Sequence, residues 1–392
     1  MRVTSDFECG NGKNIEPIVP GHFRLEAVGE VPPYCKYFCV RLQSDSDGGR
    51  VRLDVYPDPL LGESGRTGMM GHYPSQLWFS TDGMATWAPT ENVLEHSQQF
   101  HESHLTAEVR LAADATVYVA SNPVVSYSQA LAWAQSLAGD AGNRCEYLSL
   151  GKSYEGREIP VLYLPATSTD AMRVFVLAGQ HPSEHCGDLA AMGVAEFLAS
   201  HHPEAAGLRR RCEFWICPMI NVDGNAHGRN GWNMQDINMF ADFAGVAEGQ
   251  EPQATENRLL WRWLTKEVRP EASLHFHGYM GKRSFLDPPY DGIYAFSDPM
   301  AAYRDEARAS AYAAVRDTLI WDTDGLTGHV RPNPLEEHSL DYQLARLLGT
   351  IPAFYEINHG YHGVWASKRK GAQVLRTMLR TLSADYADDA DR

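Results

Sequence analysis

The chain has little positive charge: 34 Lys and Arg stand against 50 Asp and Glu, a formal net charge of −16. Nucleic acids and anionic membranes both require a basic footprint, so neither is expected as a partner. Long apolar runs are also missing. No stretch approaches the roughly 20 residues a spanning helix needs, and residues 1–10 have neither the basic start nor the apolar centre of a secretory leader. The expected location is therefore the cytoplasm. Cysteine is scarce and odd in number, seven in all with no CxxC unit, which suits reduced thiols better than a disulfide framework. A G-x-S-x-G elbow and the phosphate-binding glycine loops are absent too, which disfavours a serine hydrolase and a nucleotide enzyme.

What is present suffices for two cores, since 392 residues with 44% hydrophobic content exceed one ordinary domain. Residues 1–126 alternate short apolar segments with turn residues, as in Val51, Leu53 and Val55 or Leu105, Ala107, Val109 and Leu111. That spacing predicts an all-β sandwich. From Tyr127 the period changes to helical, with Ala130, Leu131, Trp133, Ala134 and Leu137 in one stripe. Buried-strand patterns then alternate with helical ones, which predicts an α/β unit over 127–384 with a largely parallel sheet flanked by helices. An acidic tail, 385–392, closes the chain.

The chemistry gathers at strand ends. His181 and Glu184 lie three positions apart just past the buried run 174–178, where open α/β sheets place their sites. His275 ends the run 272–277, and Glu356 sits on the apolar strand 351–357. Two histidines and a glutamate with an open fourth position make a catalytic zinc set, and a second glutamate can take the proton of the attacking water. Arg229 is the candidate cation for charge developing on a carbonyl oxygen. Asp236 is a candidate to orient the outer nitrogen of a histidine ligand. His277 follows His275 on the same strand face. It could support a ligand or face the substrate, or be an ordinary satisfied histidine.

These residues carry a family resemblance. His181-Pro-Ser-Glu184, Asn221-Val-Asp-Gly224, Arg229, Asp236-Ile-Asn238, Leu274-His275-Phe-His277 and Phe354-Tyr-Glu356 resemble, in order and position, the zinc metallocarboxypeptidases. A β-sandwich in front is similar to the cytosolic carboxypeptidase branch. The resemblance implies a mixed sheet flanked by helices and one zinc ion per chain, held by His181, Glu184 and His275. It further implies Glu356 as general base, Arg229 polarising the carbonyl and Asn238 binding substrate. Two departures stand out. Where the family has an Asn-Arg pair gripping a terminal carboxylate, this chain has Asn238-Met239, and methionine cannot make that bidentate contact. The loop between Asp322 and Asp341 also lacks the tyrosine the family places over its substrate.

The expected activity is therefore zinc-dependent hydrolysis of a peptide or amide bond. If a free carboxylate is recognised, Lys282, Arg283 and Arg331 are replacement cations. The alternative is an amidase or deacylase whose peptide or metabolite substrate has no free carboxylate beside the scissile bond. A noncatalytic binding protein is disfavoured, because neither base nor ligand is lost. Oligomeric state stays open.

Overall fold

The computed structural model describes residues 1–30, 37–61, 77–95, 104–279, 291–320, 329–332, 336–358 and 362–383. The period-two apolar pattern of the first third folds as two five-stranded sheets. One runs in the order Arg2–Thr4, Cys39–Gln43, Thr116–Ala120, Trp78–Ser80, Ala88–Pro89, and is antiparallel throughout. The other runs Lys13–Val19, His22–Glu26, Gly49–Tyr56, His104–Leu111, Glu91–Glu95, with one parallel pair, His22–Glu26 beside Gly49–Tyr56. Register pairs Val51 with Val109, Leu53 with Ala107 and Val55 with Leu105. All six are buried, and they share one core with Leu25, Val40, Leu42 and Val119. Burying each large aliphatic side chain contributes about 1.5–3 kcal/mol. The expected β-sandwich is therefore present.

The remainder is built on one eight-stranded mixed sheet, ordered Glu146–Lys152, Glu158–Leu164, Cys212–Cys217, Met172–Ala178, Ala272–Tyr279, Ile351–Asn358, Gly292–Ala295, His329–Pro332. Its four central strands are parallel, from Cys212–Cys217 to Ile351–Asn358. The antiparallel hairpin at one side and the short strand Gly292–Ala295 at the other make it mixed. Helices cover both faces. On one, His185–Ala199 and Val364–Leu382 bring Ala190, Val194, Val374 and Met378 onto Val176, Leu274 and Ile216. On the other, Thr255–Trp263 and Leu340–Leu348 bring Leu260 and Leu344 onto Phe175, Leu177 and Cys217. Both faces of the central strands are thus dry, which explains their near-continuous apolar sequences.

After the strand Gly292–Ala295 come two helices, Pro299–Tyr303 and Glu306–Leu319. Asp298 caps the first and Asp305 the second, while Arg304 between them takes a left-handed φ of 54° that breaks the helical run. Two short strands, Gly292–Ala295 and His329–Pro332, were not expected at all. Among the described residues, no helix is long and apolar enough to cross a membrane. The six described cysteines are all buried and free of disulfides.

Candidate metal centre

The centre starts where the strand Met172–Ala178 stops. Gly179 takes φ +76°, a left-handed conformation that glycine enters without steric cost. A side chain there would also approach Asp188 Oδ1 to 2.7 Å and Met219 Cα to 3.0 Å. The turn that follows delivers His181, and Glu184 sits at the N-cap position of the helix His185–Ala199. Asn221 Nδ2 donates to the Gln180 carbonyl at 3.0 Å and ties this turn to the loop after the neighbouring parallel strand.

The Glu184 carboxylate faces one histidine with each oxygen: Oε1 lies 3.0 Å from His181 Nδ1 and Oε2 lies 2.8 Å from His277 Nδ1. One donor atom from each of the three residues falls within 4.8 Å of the others, the single such group of three found among the described residues. The backbone N–H of Gly278 also donates to Glu184 Oε2 at 3.0 Å. A Cβ on Gly278 would stand 2.6 Å from Cys186 Sγ, so the strand can approach the helix this closely only with glycine here.

This geometry corrects the expectation for the third histidine. His275 lies two residues deeper on the same strand; its Nε2 faces His277 Nε2 at 3.0 Å and its Nδ1 faces Asp341 Oδ2 at 3.0 Å. Both of its nitrogens are thus engaged away from Glu184. His277, near the open end of the strand, is the histidine that meets Glu184.

Two imidazole nitrogens and a carboxylate suit a borderline-soft divalent ion such as zinc. Protonation favours the same conclusion. Burial, followed by the adjacent His275, pushes His277 down from its ordinary value to about 3, so its ring is neutral and able to coordinate. His181 Nε2 faces Asn238 Oδ1 at 3.2 Å, an oxygen that only accepts, so Nε2 is the donor side of the ring and Nδ1 is the side turned to Glu184. The Glu184 carboxylate, one oxygen toward each ring, supplies the anionic donor of the set. The residues present therefore fit the metal that the resemblance implies.

Glu356 pairs in register with His277 on the adjacent parallel strand, which sets the two side by side on one face of the sheet. Phe354, two residues earlier, lies with its ring centroid 4.5 Å from that of His277 and 5.5 Å from that of His275. Phe240 completes an apolar wall, 5.5 Å from His277 and 5.2 Å from Phe354.

Arg229 is held on three sides. Its Nε donates to Glu30 Oε1 at 2.8 Å, Nη1 to the Asn233 carbonyl at 2.9 Å and Nη2 to Asp236 Oδ1 at 2.7 Å. Asp236 thus orients the arginine and not a histidine, a second correction; the carboxylate that meets a histidine of the strand is Asp341. Asn238 stands behind His181, and its Oδ1 also accepts from the Phe240 N–H at 3.1 Å. Met239, expected beside the substrate because it stands at the position of the family's carboxylate-gripping arginine, is a third correction. It is fully buried in the core with Phe243, Val246 and Leu260, so its side chain does not face a substrate. Lys282 and Arg283 lie outside the described residues. Arg331 is on the edge strand His329–Pro332, where its backbone pairs with Tyr294.

Three groups of this neighbourhood escaped sequence reasoning. Phe354 was legible, because it shares a strand face with Glu356. Asp341 had only the signal of an acidic first turn behind a serine cap. Glu30 had none, since its partners lie about 200 positions away.

The zinc carboxypeptidase family model matches residues 130–342, more than half of the chain. Cytosolic carboxypeptidase 2 of Danio rerio is 25% identical over 305 residues, covering 72% of this chain and 42% of that protein. Human cytosolic carboxypeptidase 6 is 37% identical over 82 residues, 19% of this chain and 16% of its own length. The chain thus spans less than half the length of these curated relatives. Among solved structures, a metallo-carboxypeptidase from Burkholderia cenocepacia superposes with a TM-score of 0.79 at 18% identity, covering 98% of this chain and 99% of that one. A metallo-carboxypeptidase from Pseudomonas aeruginosa gives 0.77 at 17% identity with the same coverage. At these identities the likeness concerns the fold, which extends through the N-terminal sheets.

Proposed function

Since the chain belongs to the zinc carboxypeptidase family, we propose that it hydrolyses a peptide or amide bond with water activated at a zinc ion held by His181, Glu184 and His277. The observation that carries this reading is the convergence of both Glu184 oxygens on the Nδ1 atoms of two histidines, with Glu356 in register beside one of them. When bound, zinc lowers the pKa of water toward about 7 and polarises the scissile carbonyl. Glu356 accepts the proton of the attacking water and passes it to the leaving amine. Phe240 and Phe354 keep bulk water from that side of the site, which strengthens the electrostatics within it. Arg229 remains the candidate for stabilising charge on the carbonyl oxygen, its guanidinium fixed by Glu30 and Asp236. The free cysteines accord with a reducing compartment, and we assign the chain to the cytoplasm.

The burial of Met239 favours a second substrate class. At the position where the resemblance calls for an arginine on a terminal carboxylate, the side chain is core packing. An amide without a neighbouring free carboxylate, in a modified peptide or a small metabolite, is the substrate this favours.

The test follows matched peptides, with free or amidated C-termini, by mass spectrometry on zinc-loaded protein. Glu356→Gln serves as the blank, and it is expected to keep its zinc while turnover falls roughly 10²–10⁴-fold. Loss of single residues from the free acids alone supports a carboxypeptidase with a substitute cation. Cleavage of the amidated set supports the amidase. Undiminished turnover by Glu356→Gln removes Glu356 as the base.

A further inference from the structure

We propose that Asp341 and His275 form a two-residue relay that fixes the tautomer and aim of His277, pointing its Nδ1 lone pair at the metal. This rests on the zinc reading above and goes beyond it, because it gives a role to two residues that do not themselves hold the ion.

The relay is set by which atoms can donate. Asp341 Oδ2 lies 3.0 Å from His275 Nδ1, and an ionised carboxylate only accepts, so the His275 proton belongs on Nδ1. In that tautomer the His275 lone pair is on Nε2. That atom is 3.0 Å from His277 Nε2, which must therefore carry a proton and donate it. With its proton on Nε2, the neutral His277 has its lone pair on Nδ1, the atom that faces Glu184 at 2.8 Å. Reversing either ring alone would set two acceptors or two donors against each other at 3.0 Å in a buried place; on the far side, the Nδ1 lone pair and the Glu184 oxygen are both acceptors, which a cation held by the two would reconcile. One anchoring carboxylate thus decides the orientation of two rings.

The surroundings hold this order in place. Asp341, His275 and His277 are each 1–2% exposed. Asp341 stands in the first turn of the helix Leu340–Leu348, where the aligned N–H groups favour a negative charge, and Ser339 caps that turn by accepting from the Tyr342 N–H. Phe354 stacks on His275 with 26° between the rings and meets His277 nearly edge-on at 60°, so neither imidazole can rotate freely. Histidine ligands usually donate their outer N–H directly to a carboxylate or carbonyl, and losing that partner costs about 10–100-fold in metal affinity. Here an imidazole is interposed, and the carboxylate acts through it.

The experiment measures the zinc dissociation constant of the full chain by competition with a chromophoric chelator, and takes the absorption spectrum of the cobalt-substituted form. His275→Leu removes both hydrogen bonds and is expected to weaken zinc binding about 10–100-fold without altering the cobalt ligand set. His275→Gln can donate its amide N–H to Asp341 and accept from His277 at its carbonyl, so it should restore most of that loss. Asp341→Asn keeps the geometry but removes the charge, and should fall between the two. Wild-type affinity in a folded His275→Leu, or a Gln variant as weak as Leu, overturns the relay. So does a changed cobalt ligand set in His275→Leu, which would make His275 a ligand. His277→Ala is the separate control: zinc affinity unaffected by that change sinks the assignment of the metal centre itself.

Discussion

Glu30 offers the sharpest test of how the candidate site is held together. Its Oε1 accepts from Arg229 Nε at 2.8 Å and from the Asn230 N–H at 2.9 Å, while Oε2 accepts from the N–H groups of Gly231 at 2.8 Å and Trp232 at 2.9 Å. Only 7% of the residue is exposed, so Glu30→Ala leaves four donors with little access to replacement water. Hydrogen bonds to a charged group contribute about 1.5–3 kcal/mol each, but the four share one carboxylate and the loop can relax. Breaking a buried charged pair, at about 3–5 kcal/mol, is the better bound. At about 1.4 kcal/mol per tenfold, local opening of the loop should become on the order of 10²–10⁴ times more frequent. Hydrogen–deuterium exchange at the amides of Asn230, Gly231 and Trp232 reads this directly. The central strand Met172–Ala178 should stay protected. Unchanged exchange at those three amides in the folded variant would refute the reasoning, since Glu30 accepts from all three N–H groups.

Two further substitutions test the packing around the centre. Met239→Arg places a charge in a fully buried position and should destabilise the protein by several kcal/mol, whereas Met239→Leu should cost less than about 1.5 kcal/mol; urea denaturation compares them, and a stable arginine variant would show that the side chain has a route to the surface. Asp291 accepts from His362 at 3.1 Å and from the Asn358 N–H at 2.9 Å, with the fully buried Lys370 ammonium at 3.5 Å. Although burial opposes it, these partners hold the Asp291 carboxyl below its ordinary value. Its contribution is therefore present above about pH 3.9 and is lost as the pH falls through its lower folded value. Asp291→Asn should cost about 3–5 kcal/mol near pH 7 and flatten the acid limb of the stability curve; wild-type stability and an unaltered acid limb would count against the ion pair.

Much of the fold was legible because burial imposes a period. The two-residue alternation of 51–55 and 105–111 specified a half-buried strand pair, and the apolar runs 174–178 and 351–357 specified strands covered on both faces. The edge strands Gly292–Ala295 and His329–Pro332 were not legible, since a four-residue segment is too short to establish alternation. At the site, His181 and Glu184 could be read from their place after a strand. The choice between His275 and His277 could not, because residues two apart on a strand share a face and differ only in depth. Depth depends on where Glu184 and Asp341 arrive, and both come from other elements. Asp236 and Met239 were misread for a related reason: sequence order puts them beside Asn238, but the chain turns between them. Asp236 adopts a left-handed φ of 57° facing Arg229, and Met239 opens a short helical turn directed into the core.

The N-terminal sheets belong to the physics of the site, beyond Glu30 alone. Cys9 N–H donates to the Ala226 carbonyl at 3.1 Å, Asn11 Nδ2 to the Gly228 carbonyl at 2.8 Å, and Tyr37 N–H to Asn230 Oδ1 at 2.8 Å. All three end on the loop that carries Arg229 or on the last residue of the short helix Val222–Ala226 before it. Asn122 Nδ2 donates to the Ser183 carbonyl at 3.1 Å, and the Ser183 N–H donates to the Asn230 carbonyl at 3.2 Å. Ser183 lies between His181 and Glu184 in their turn, so one chain of hydrogen bonds runs from the sandwich through the arginine loop to the proposed metal centre. Loops are ordinarily the least stable parts of a fold. Here the loop groups assigned above to the ion and to the arginine find buried partners on strands and turns of a second core. The sandwich thereby supplies the rigidity that the open end of a parallel sheet lacks.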